Sequence, residues 1–271
     1  MSTTATDIAA KADKAVLLRE DEAGICTLTL NRPHQYNALS EDLIEALQRS
    51  FDAIAGDQSV RVVVITGAGR GFCAGHDVKE MSARSEQSYF EDLFARCNRM
   101  MQSIVTLPQP VIAKVHGLAT ANGCQLVSIC DLAVAADSAK FALCGVKLGL
   151  FCSTPRVGVS RNILRKRAFE LLVTGEFVDA RTAVRDGLIN RAVAEEQLDA
   201  EVRRLADSIV ANPAVAIETG KKMFYRQLEL DLEDAYDYAG GVMAGNMMAE
   251  DAREGIAAFL GKREPKWRPK K

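Results

Sequence analysis

The sequence predicts an α/β fold with an all-helical C-terminal end, and three observations support this. Residues 15–30 contain two short β-rich runs joined by "DEAG", which favours a hairpin. "VRVVVITG" is a nearly continuous β-branched run, typical of a strand that is buried on both faces. From about Gln197 to Gly261 the apolar spacing is helical, with breaks at 212–213 and near Gln227–Asp231.

Between the hairpin and the buried strand, the sequence predicts a loop and a helix. Pro33 and Asn37 favour the loop. Ser40 suits the N-cap of a helix that ends near Gly56. The apolar positions of this helix fall on one face: Leu43, Ile44, Leu47, Phe51 and Ile54. After the buried strand, the glycine-rich loop "GAGRGFCAGHD" leads to a helix expected over about 86–106.

The second half of the α/β region contains shorter elements. "PVIAKVHG", "LAVAA", "KFAL" and "NRAVA" are expected to be short strands. "VKLGLFCSTPRVG" is rich in breakers and is expected to be a loop, and helices are expected near 157–174 and 179–187. The predicted organisation is a flexible N-terminus over 1–14, a core over 15–196, and a helical C-terminal region over 197–271.

The composition is that of an ordinary soluble globular protein. The 271 residues are 48% apolar and 26% charged, with a formal net charge of −2. This charge, without interleaved basic and aromatic residues, argues against nucleic acid as a partner. No stretch approaches the ~20 apolar residues of a membrane helix, so no membrane partner is expected. The basic ending "KREPKWRPKK" is expected to be solvated and frayed.

The cysteines and the N-terminus bear on the cellular compartment. The seven cysteines form no Cys-x-x-Cys pair and lie in apolar segments, so we interpret them as small buried hydrophobic residues in a reducing environment. The start "MSTTATDIAAKADK" is polar and lacks the apolar core of a secretory signal. We therefore expect a cytoplasmic protein.

Several common catalytic motifs do not occur in the sequence. The glycine-rich loop matches neither G-x-x-x-x-G-K-[ST] nor G-x-G-x-x-G, so no nucleotide fingerprint is met. His34, His76 and His116 are far apart, and no Cys/His spacing of a metal site is present. A G-x-S-x-G nucleophile motif is also missing. We expect neither a metal nor a separate cofactor.

Two strand-to-helix turns remain as candidates for chemistry. "CAGHD" (73–77) follows one expected strand, and "ATANGC" (119–124) follows the next. Each turn could aim backbone N–H groups at one oxygen, aided by the positive end of the following helix. One such turn is common in α/β proteins, whereas two of them favour an oxyanion hole.

Five longer segments carry a family pattern: "NRPHQYNALS", "VVVITGAGRGFCAGHDVKEM", "QPVIAKVHGLATANGCQLVSICDLAVAADSAKF", "LVTGEFVDARTAVRDGLINRAV" and "EGIAAFLGKREPKW". Through them the chain resembles the crotonase (enoyl-CoA hydratase/isomerase) superfamily from about residue 15 to 267. The resemblance implies a spiral of strand–strand–helix units, with a C-terminal region over 197–271 that builds homotrimers or dimers of trimers. Six apolar residues are the candidates for that interface: Ala235, Tyr238, Val242, Met243, Met247 and Met248.

The resemblance also implies a ligand and assigns positions around it. The ligand is an acyl-CoA or enoyl-CoA thioester, so coenzyme A enters only as part of the substrate. The thioester oxygen is expected between the backbone N–H groups of His76 and Asn122. Four further residues are expected to contact the CoA moiety: Arg32, Ala74, Asp77 and Lys262. Of these, Lys262 would reach the nucleotide end from a neighbouring subunit.

Two positions depart from the family pattern. Hydratases of the superfamily carry one glutamate where this chain has Gln125 and a second where it has Gly145. Those carboxylates hold and activate the water that adds across the double bond. A neutral amide can hold water but cannot take its proton near pH 7, and glycine can do neither. Weak or absent hydratase activity is therefore expected.

Two functional hypotheses remain open. The first is an enzyme of fatty-acid or acyl-CoA metabolism with altered chemistry, whose proton carrier is Asp77, Cys144, Cys152 or the His76 side chain. Each candidate has a structural alternative, such as Asp77 capping a helix and the cysteines filling the core. The second hypothesis is a non-catalytic acyl-CoA binder or scaffold.

Overall fold

The structure, a computed structural model, describes residues 15–267. Over this range the strands are Leu17–Glu22 (β1), Ile25–Leu30 (β2), Val62–Gly67 (β3), Val111–Val115 (β4), Leu118–Thr120 (β5), Leu132–Ala136 (β6), Lys140–Ala142 (β7), Val178–Asp179 (β8) and Arg191–Val193 (β9). The α-helices are Glu41–Ala55 (α1), Val78–Ser82 (α2), Gln87–Thr106 (α3), Asn122–Ile129 (α4), Pro155–Asn162 (α5), Arg165–Thr174 (α6), Ala180–Asp186 (α7), Leu198–Val210 (α8), Ala214–Gln227 (α9), Leu232–Met247 (α10) and Glu250–Leu260 (α11). The flexible N-terminus predicted for 1–14 lies outside the described residues, as do residues 268–271.

The expected hairpin is confirmed. Strands β1 and β2 pair antiparallel, with Glu22 opposite Ile25. The two residues between them, Ala23 and Gly24, have φ values of 51° and 82°. Two consecutive positive φ values give the kind of tight turn whose twist matches that of paired strands.

The central sheet has six strands in the order β1-β2-β3-β4-β6-β9, and every pairing except β1–β2 is parallel. A smaller sheet, β5-β7-β8, lies beside it. Because parallel strands need crossover connections, helices cover the sheet on both faces. All six residues of β3 are buried, as its β-branched run predicts.

Two apolar clusters lie on opposite faces of this sheet. The larger one contains the inner faces of α1, α3 and α4. In the smaller one, Leu198, Val202 and Ala206 of α8 pack against β2, β3, β4 and β6. Helix α8 therefore covers the sheet, although the predicted C-terminal region begins at residue 197.

Some predicted boundaries differ from the observed ones. The single helix expected over 157–174 is two helices, α5 and α6, because Leu164 has an extended ψ of 135° between them. The expected loop 146–158 is shorter, since α5 begins at Pro155, a residue preorganised for the first helical turn. A further break at Met248–Ala249 separates α10 from α11.

The C-terminal segment is docked over residues 262–267, so the expectation of a frayed ending is wrong for this part. The indole N–H of Trp267 donates to the Ala211 carbonyl oxygen (2.9 Å). Arg263 forms a two-pronged ion pair with Glu254 of α11. These contacts attach the segment to the C-terminal end of α8 and to the middle of α11.

Helix α10 contains no buried residue in the isolated chain. Of the six predicted interface residues, Met243, Met247 and Met248 are exposed, while Ala235, Tyr238 and Val242 are half-buried. Apolar residues of α10, such as Leu232 and Tyr236, are therefore exposed in the isolated chain. Over residues 15–267, no helix combines the length and the apolar character needed to cross a membrane.

Candidate active site

The turn 73–77 is held between strand β5 and the loop that precedes α1. The Cys73 N–H donates to the Leu118 carbonyl oxygen, and the Thr120 N–H donates back to the Cys73 carbonyl oxygen. On the other side, Leu39 exchanges backbone hydrogen bonds with Gly75 (2.7 Å) and Asp77 (3.1 Å). These contacts fix the turn on both sides.

The turn 119–124 is shaped by a residue in an uncommon conformation. Ala121 has φ 49° and ψ −118°, which an L-residue rarely adopts, and its N–H donates to the Ala142 carbonyl oxygen (2.9 Å). Helix α4 begins directly afterwards at Asn122. The N–H groups of a first helical turn have no intrahelical acceptor, so Asn122 presents its own at the positive end of the helix.

The two turns lie in direct contact. A Cβ atom at Gly75 would stand 3.2 Å from the Asn122 backbone nitrogen, and one at Gly123 would stand 2.0 Å from the Cys73 carbonyl oxygen. Glycine is therefore required at both positions for this close approach. Among residues 15–267, neither the His76 N–H nor the Asn122 N–H has a hydrogen-bond acceptor. The arrangement leaves two neighbouring donors for a ligand oxygen.

Gln125 is held by its neighbour one helical turn earlier. The Asn122 side-chain amide donates to Gln125 Oε1 at 2.8 Å, and both residues are buried (5% and 4% exposed). The bond orients the side chain of Gln125, whose neutral amide cannot take a proton near pH 7. The sequence analysis identified Gln125 but did not predict its hydrogen bond with Asn122, although side chains three residues apart lie on the same face of a helix.

Gly145, at the position of the family's second glutamate, has no room for a side chain. The Gly145 N–H donates to Cys152 Sγ at 3.3 Å. A Cβ atom at Gly145 would stand 2.8 Å from that sulfur and 3.0 Å from the Leu150 carbonyl oxygen. Burial raises the pKa of the Cys152 thiol, so the sulfur stays protonated and is a poor nucleophile. Cys144, which precedes Gly145, is half-buried and begins the 3₁₀ turn Cys144–Leu148.

Asp77 has structural partners on two sides. Its carboxylate accepts from the backbone N–H groups of Lys79 and Glu80 and so caps α2. It also pairs with the Arg32 guanidinium at 2.8 Å. Burial alone would raise the pKa of this carboxyl, but the hydrogen bond from Arg32 and the cap outweigh it and the pKa lies below its ordinary value. The Arg32 side chain also donates to the Ala38 carbonyl oxygen.

The imidazole of His76 lies against Phe94 of α3, with ring centroids 5.6 Å apart. Both ring nitrogens are buried and neither has a hydrogen-bond partner among the described residues. Burial lowers the pKa of His76 to about 4, and the backbone of Leu39, which lies near the ring but outside hydrogen-bonding geometry, opposes this effect only in part. The ring is therefore neutral near pH 7.

Ala74 and Lys262 are the two other residues that are predicted to contact CoA, and neither is fully buried. Ala74 is half-buried, and its N–H donates to the Tyr36 carbonyl oxygen. Lys262 is exposed in the turn after α11, far along the chain from the two turns. Within one chain the structure thus brings the turns that contain His76 and Asn122 into contact. The contacts of Arg32, Ala74, Asp77 and Lys262 with CoA remain predictions.

With this architecture and these paired turns, the protein belongs to the enoyl-CoA hydratase/isomerase family, whose model matches residues 20–270. The crotonase fold implied by the sequence is confirmed by solved structures. An enoyl-CoA hydratase of Mycobacterium smegmatis is 56% identical, with a TM-score of 0.92 over 93% of this chain and 98% of that one.

Two relatives have the name enoyl-CoA hydratase domain-containing protein 3. Human enoyl-CoA hydratase domain-containing protein 3 has a solved structure that is 40% identical, with a TM-score of 0.91 over 93% of this chain and all of that one (100%). The Xenopus laevis protein of the same name is 44% identical over 92% of this chain and 84% of its own length. The segments "GCQL", "GLFCSTP" and "KREPKW" are those in which this chain most resembles the group with that name.

The predicted cytoplasmic location is wrong by this comparison. The relatives from frog, mouse and human that share the name domain-containing protein 3 are all named mitochondrial. The polar N-terminus and the buried cysteines on which the prediction rested do not distinguish between two reducing compartments. Within the described residues, no group of three or more His, Cys, Asp or Glu side chains could hold a metal ion.

Proposed function

We propose that the protein binds acyl-CoA thioesters, with the thioester oxygen between the N–H groups of His76 and Asn122, and that it hydrates 2-enoyl-CoA slowly. The proposal is supported by the two unpaired donors on touching turns. Donors aimed at a developing negative oxygen are typically worth about 10²–10³ in rate each. The site therefore keeps the means to polarise a thioester.

The expectation of slow hydration rests on the state of Gln125, which is hydrogen-bonded to Asn122. Its oxygen accepts from Asn122 and belongs to a neutral amide, so this position holds no carboxylate that could take a proton from the water that would add. Gly145 has no side chain, and Cys152 fills the space beside it. Each positioned acid or base contributes about 10²–10⁴-fold, and the two act as a unit, so we expect a deficit of at least about 10³ against a true hydratase.

The test is a crotonyl-CoA hydration assay on restored variants, with CoA-thioester affinity measured by calorimetry. Gln125→Glu alone restores one carboxylate beside an amide donor that would hold it in place. Gly145→Glu must be combined with Cys152→Ala, because the sulfur occupies the space of the new Cβ. The triple variant is therefore the one expected to gain activity, and Cys152→Ala alone is its matched control.

Two results would contradict the proposal. Brisk hydration by the unmodified protein would show that another residue supplies the base. No measurable affinity for crotonyl-CoA or butyryl-CoA would remove the thioester site. Binding by all variants, with activity gained only in the triple variant, is the expected pattern.

A non-catalytic binder or scaffold is the second candidate, favoured by the state of the alternative proton carriers. Asp77 caps α2 and is ion-paired with Arg32, and Cys152 is a protonated thiol. The His76 imidazole is so weakly basic that it would make a poor proton acceptor near neutral pH. Deuterium exchange at the α-carbon of butyryl-CoA separates the two candidates, because an enzyme with an enolate-stabilising site would exchange it and a scaffold would not.

We also propose a homotrimer or dimer of trimers as the assembly. The support is the exposed apolar surface of the last helices, where Leu232, Tyr236, Met243 and Phe259 are between 60% and 82% exposed. Light scattering should give three or six times the 29.4 kDa of one chain. A stable molecular mass of one chain would contradict this proposal.

A further inference from the structure

Asn37 is a fully buried polar residue in the loop between β2 and α1, outside the two turns of the candidate site. Its φ of 55° lies in the left-handed region, which Asn adopts more readily than most other residues. Its side-chain oxygen accepts from the Arg32 N–H at 2.9 Å. Its side-chain NH₂ group donates to the carbonyl oxygens of Ala68 (2.8 Å) and Gly71 (2.7 Å). One side chain therefore joins two loops through three hydrogen bonds.

The partners of this side chain fix both its orientation and its chemical type. Two carbonyl oxygens require the amide nitrogen, and one N–H group requires the amide oxygen, so the two ends of the amide cannot be exchanged. A carboxylate here would accept from Arg32 but would face two further acceptors without a proton to donate. The fit is also close, because a Cβ atom at Gly67 would stand 2.6 Å from Asn37 Nδ2. The position is therefore specific for asparagine.

The stretch that contains Asn37 is bonded directly to the turn 73–77. The carbonyl oxygen of Tyr36 accepts from the N–H of the second residue of that turn at 3.0 Å. The Leu39 N–H donates to the residue before His76 (2.7 Å), and the Leu39 carbonyl oxygen accepts from the residue after it (3.1 Å). The position of the His76 N–H therefore depends on the position of the stretch on either side of Asn37.

Asn37 also holds the loop from which the turn starts. The glycine-rich loop 67–72 leads directly into the turn 73–77, and two of its carbonyl oxygens accept from the Asn37 side chain. The segment 67–77 is thus held near its start by this side chain and near its end by the backbone of Leu39. A donor stabilises a negative oxygen when the two atoms are about 2.7–3.1 Å apart, so a small displacement of the segment weakens the bond.

We propose that Asn37 is a positioning residue that sets the distance and direction of the His76 N–H toward the thioester oxygen. This inference rests on the proposed binding of CoA thioesters. Asn37 does not touch the ligand and acts through the backbone of its neighbours and of the turn 73–77. It serves a hydrogen bond, so no covalent bond forms or breaks.

The test measures the carbonyl stretching band of bound butyryl-CoA by infrared spectroscopy. Carbon-13 at the thioester carbonyl isolates this band in the difference from the unlabelled ligand. Two well-placed N–H donors weaken the carbonyl bond, so the band in the complex with the unmodified protein should lie at lower wavenumber than the band of the ligand in water. A residue that only stabilises the fold would leave the band of the complex unchanged.

Asn37→Gly removes all three side-chain hydrogen bonds and keeps the positive φ without strain. Because one of the two donors is then misplaced, about half of the band displacement should be lost. The affinity measured by calorimetry should fall by no more than about tenfold, the effect of one hydrogen bond, so the complex can still be saturated. If this variant does not fold, Asn37→Ser, which keeps one hydroxyl donor, takes its place.

Asn162→Ala is the matched control. The Asn162 side chain donates to the carbonyl oxygens of Ser128 and Gly158, so this variant also loses two donated hydrogen bonds. Ser128 lies at the end of α4 opposite to Asn122. The control should therefore lose stability in urea unfolding while its carbonyl band stays at the position of the unmodified protein.

The outcomes separate this inference from the proposed function. If butyryl-CoA does not bind the unmodified protein, or binds without displacement of its carbonyl band, the proposed function fails and the inference fails with it. If the displaced band is unchanged in Asn37→Gly, or Asn162→Ala moves it equally, the inference alone is overturned. Failure of both Asn37 variants to fold would make the role of Asn37 purely structural and would also overturn the inference.

Discussion

Lys221 forms the most completely buried ion pair of the protein's described part, and its replacement by Met should destabilise the fold strongly. Its ammonium group donates to the carbonyl oxygens of Ile104 (2.8 Å) and Gln109 (2.9 Å) and to Asp131 Oδ2 (2.7 Å). The two side chains are 6% and 13% exposed. Asp131 also accepts from the Val111 N–H, so the pair joins helix α9 to the end of α3 and the start of β4.

The expected magnitude follows from what the substitution leaves behind. Met keeps most of the apolar stem of Lys221 but none of its donors, so two buried carbonyl oxygens lose a charged partner. Asp131 becomes a buried carboxylate that keeps only the neutral donors of Val111 and Tyr225. Removing one partner of a buried ion pair typically costs about 3–5 kcal/mol, and we expect a loss in that range.

The assay is urea unfolding at one fixed protein concentration, because assembly would make stability depend on concentration. Lys222→Met, at the adjacent exposed lysine, is the matched control and should change stability by less than about 0.5 kcal/mol. The double variant Lys221→Met/Asp131→Asn should lose clearly less than the sum of the single losses. A loss below about 1 kcal/mol for Lys221→Met, or strict additivity, would refute the reasoning.

Two further predictions follow from other residues. Because burial lowers the pKa of His76 from 6.5 to about 4, the unfolded chain takes up a proton between these values that the folded protein does not. Stability should therefore fall as the pH drops through this window, by about 2 kcal/mol at pH 5, and urea unfolding of His76→Phe should lack that part of the loss. Lys262→Ala should weaken CoA binding and reduce its salt dependence in calorimetry at several ionic strengths, whereas an unchanged affinity would remove Lys262 from the site.

Several elements could be predicted because local pattern and final environment agree. The β-branched run of β3 is buried over its whole length, and Ser40 caps α1 by accepting from the Leu43 N–H at 3.2 Å. Where a tertiary contact decides, the prediction fails. The side chain of Asn162 donates to the Ser128 carbonyl oxygen, which ties the end of α5 to α4 and accompanies the break before α6. The docking of Trp267 on Ala211 is likewise invisible to local pattern.

By itself the sequence determined the chemical types at the candidate site: the two glycine-rich turns, and an amide and a glycine at the positions of the family's carboxylates. Residue types and family spacing carry that information without coordinates. Only the tertiary structure decided which atoms remain available. The Asn122 side chain donates to the oxygen of Gln125, Cys152 closes the space at Gly145, and the ring nitrogens of His76 are buried. Each of these facts depends on differences of a few tenths of an ångström in the distances between packed groups. The energies of hydrogen bonds and steric contacts are sensitive to such differences.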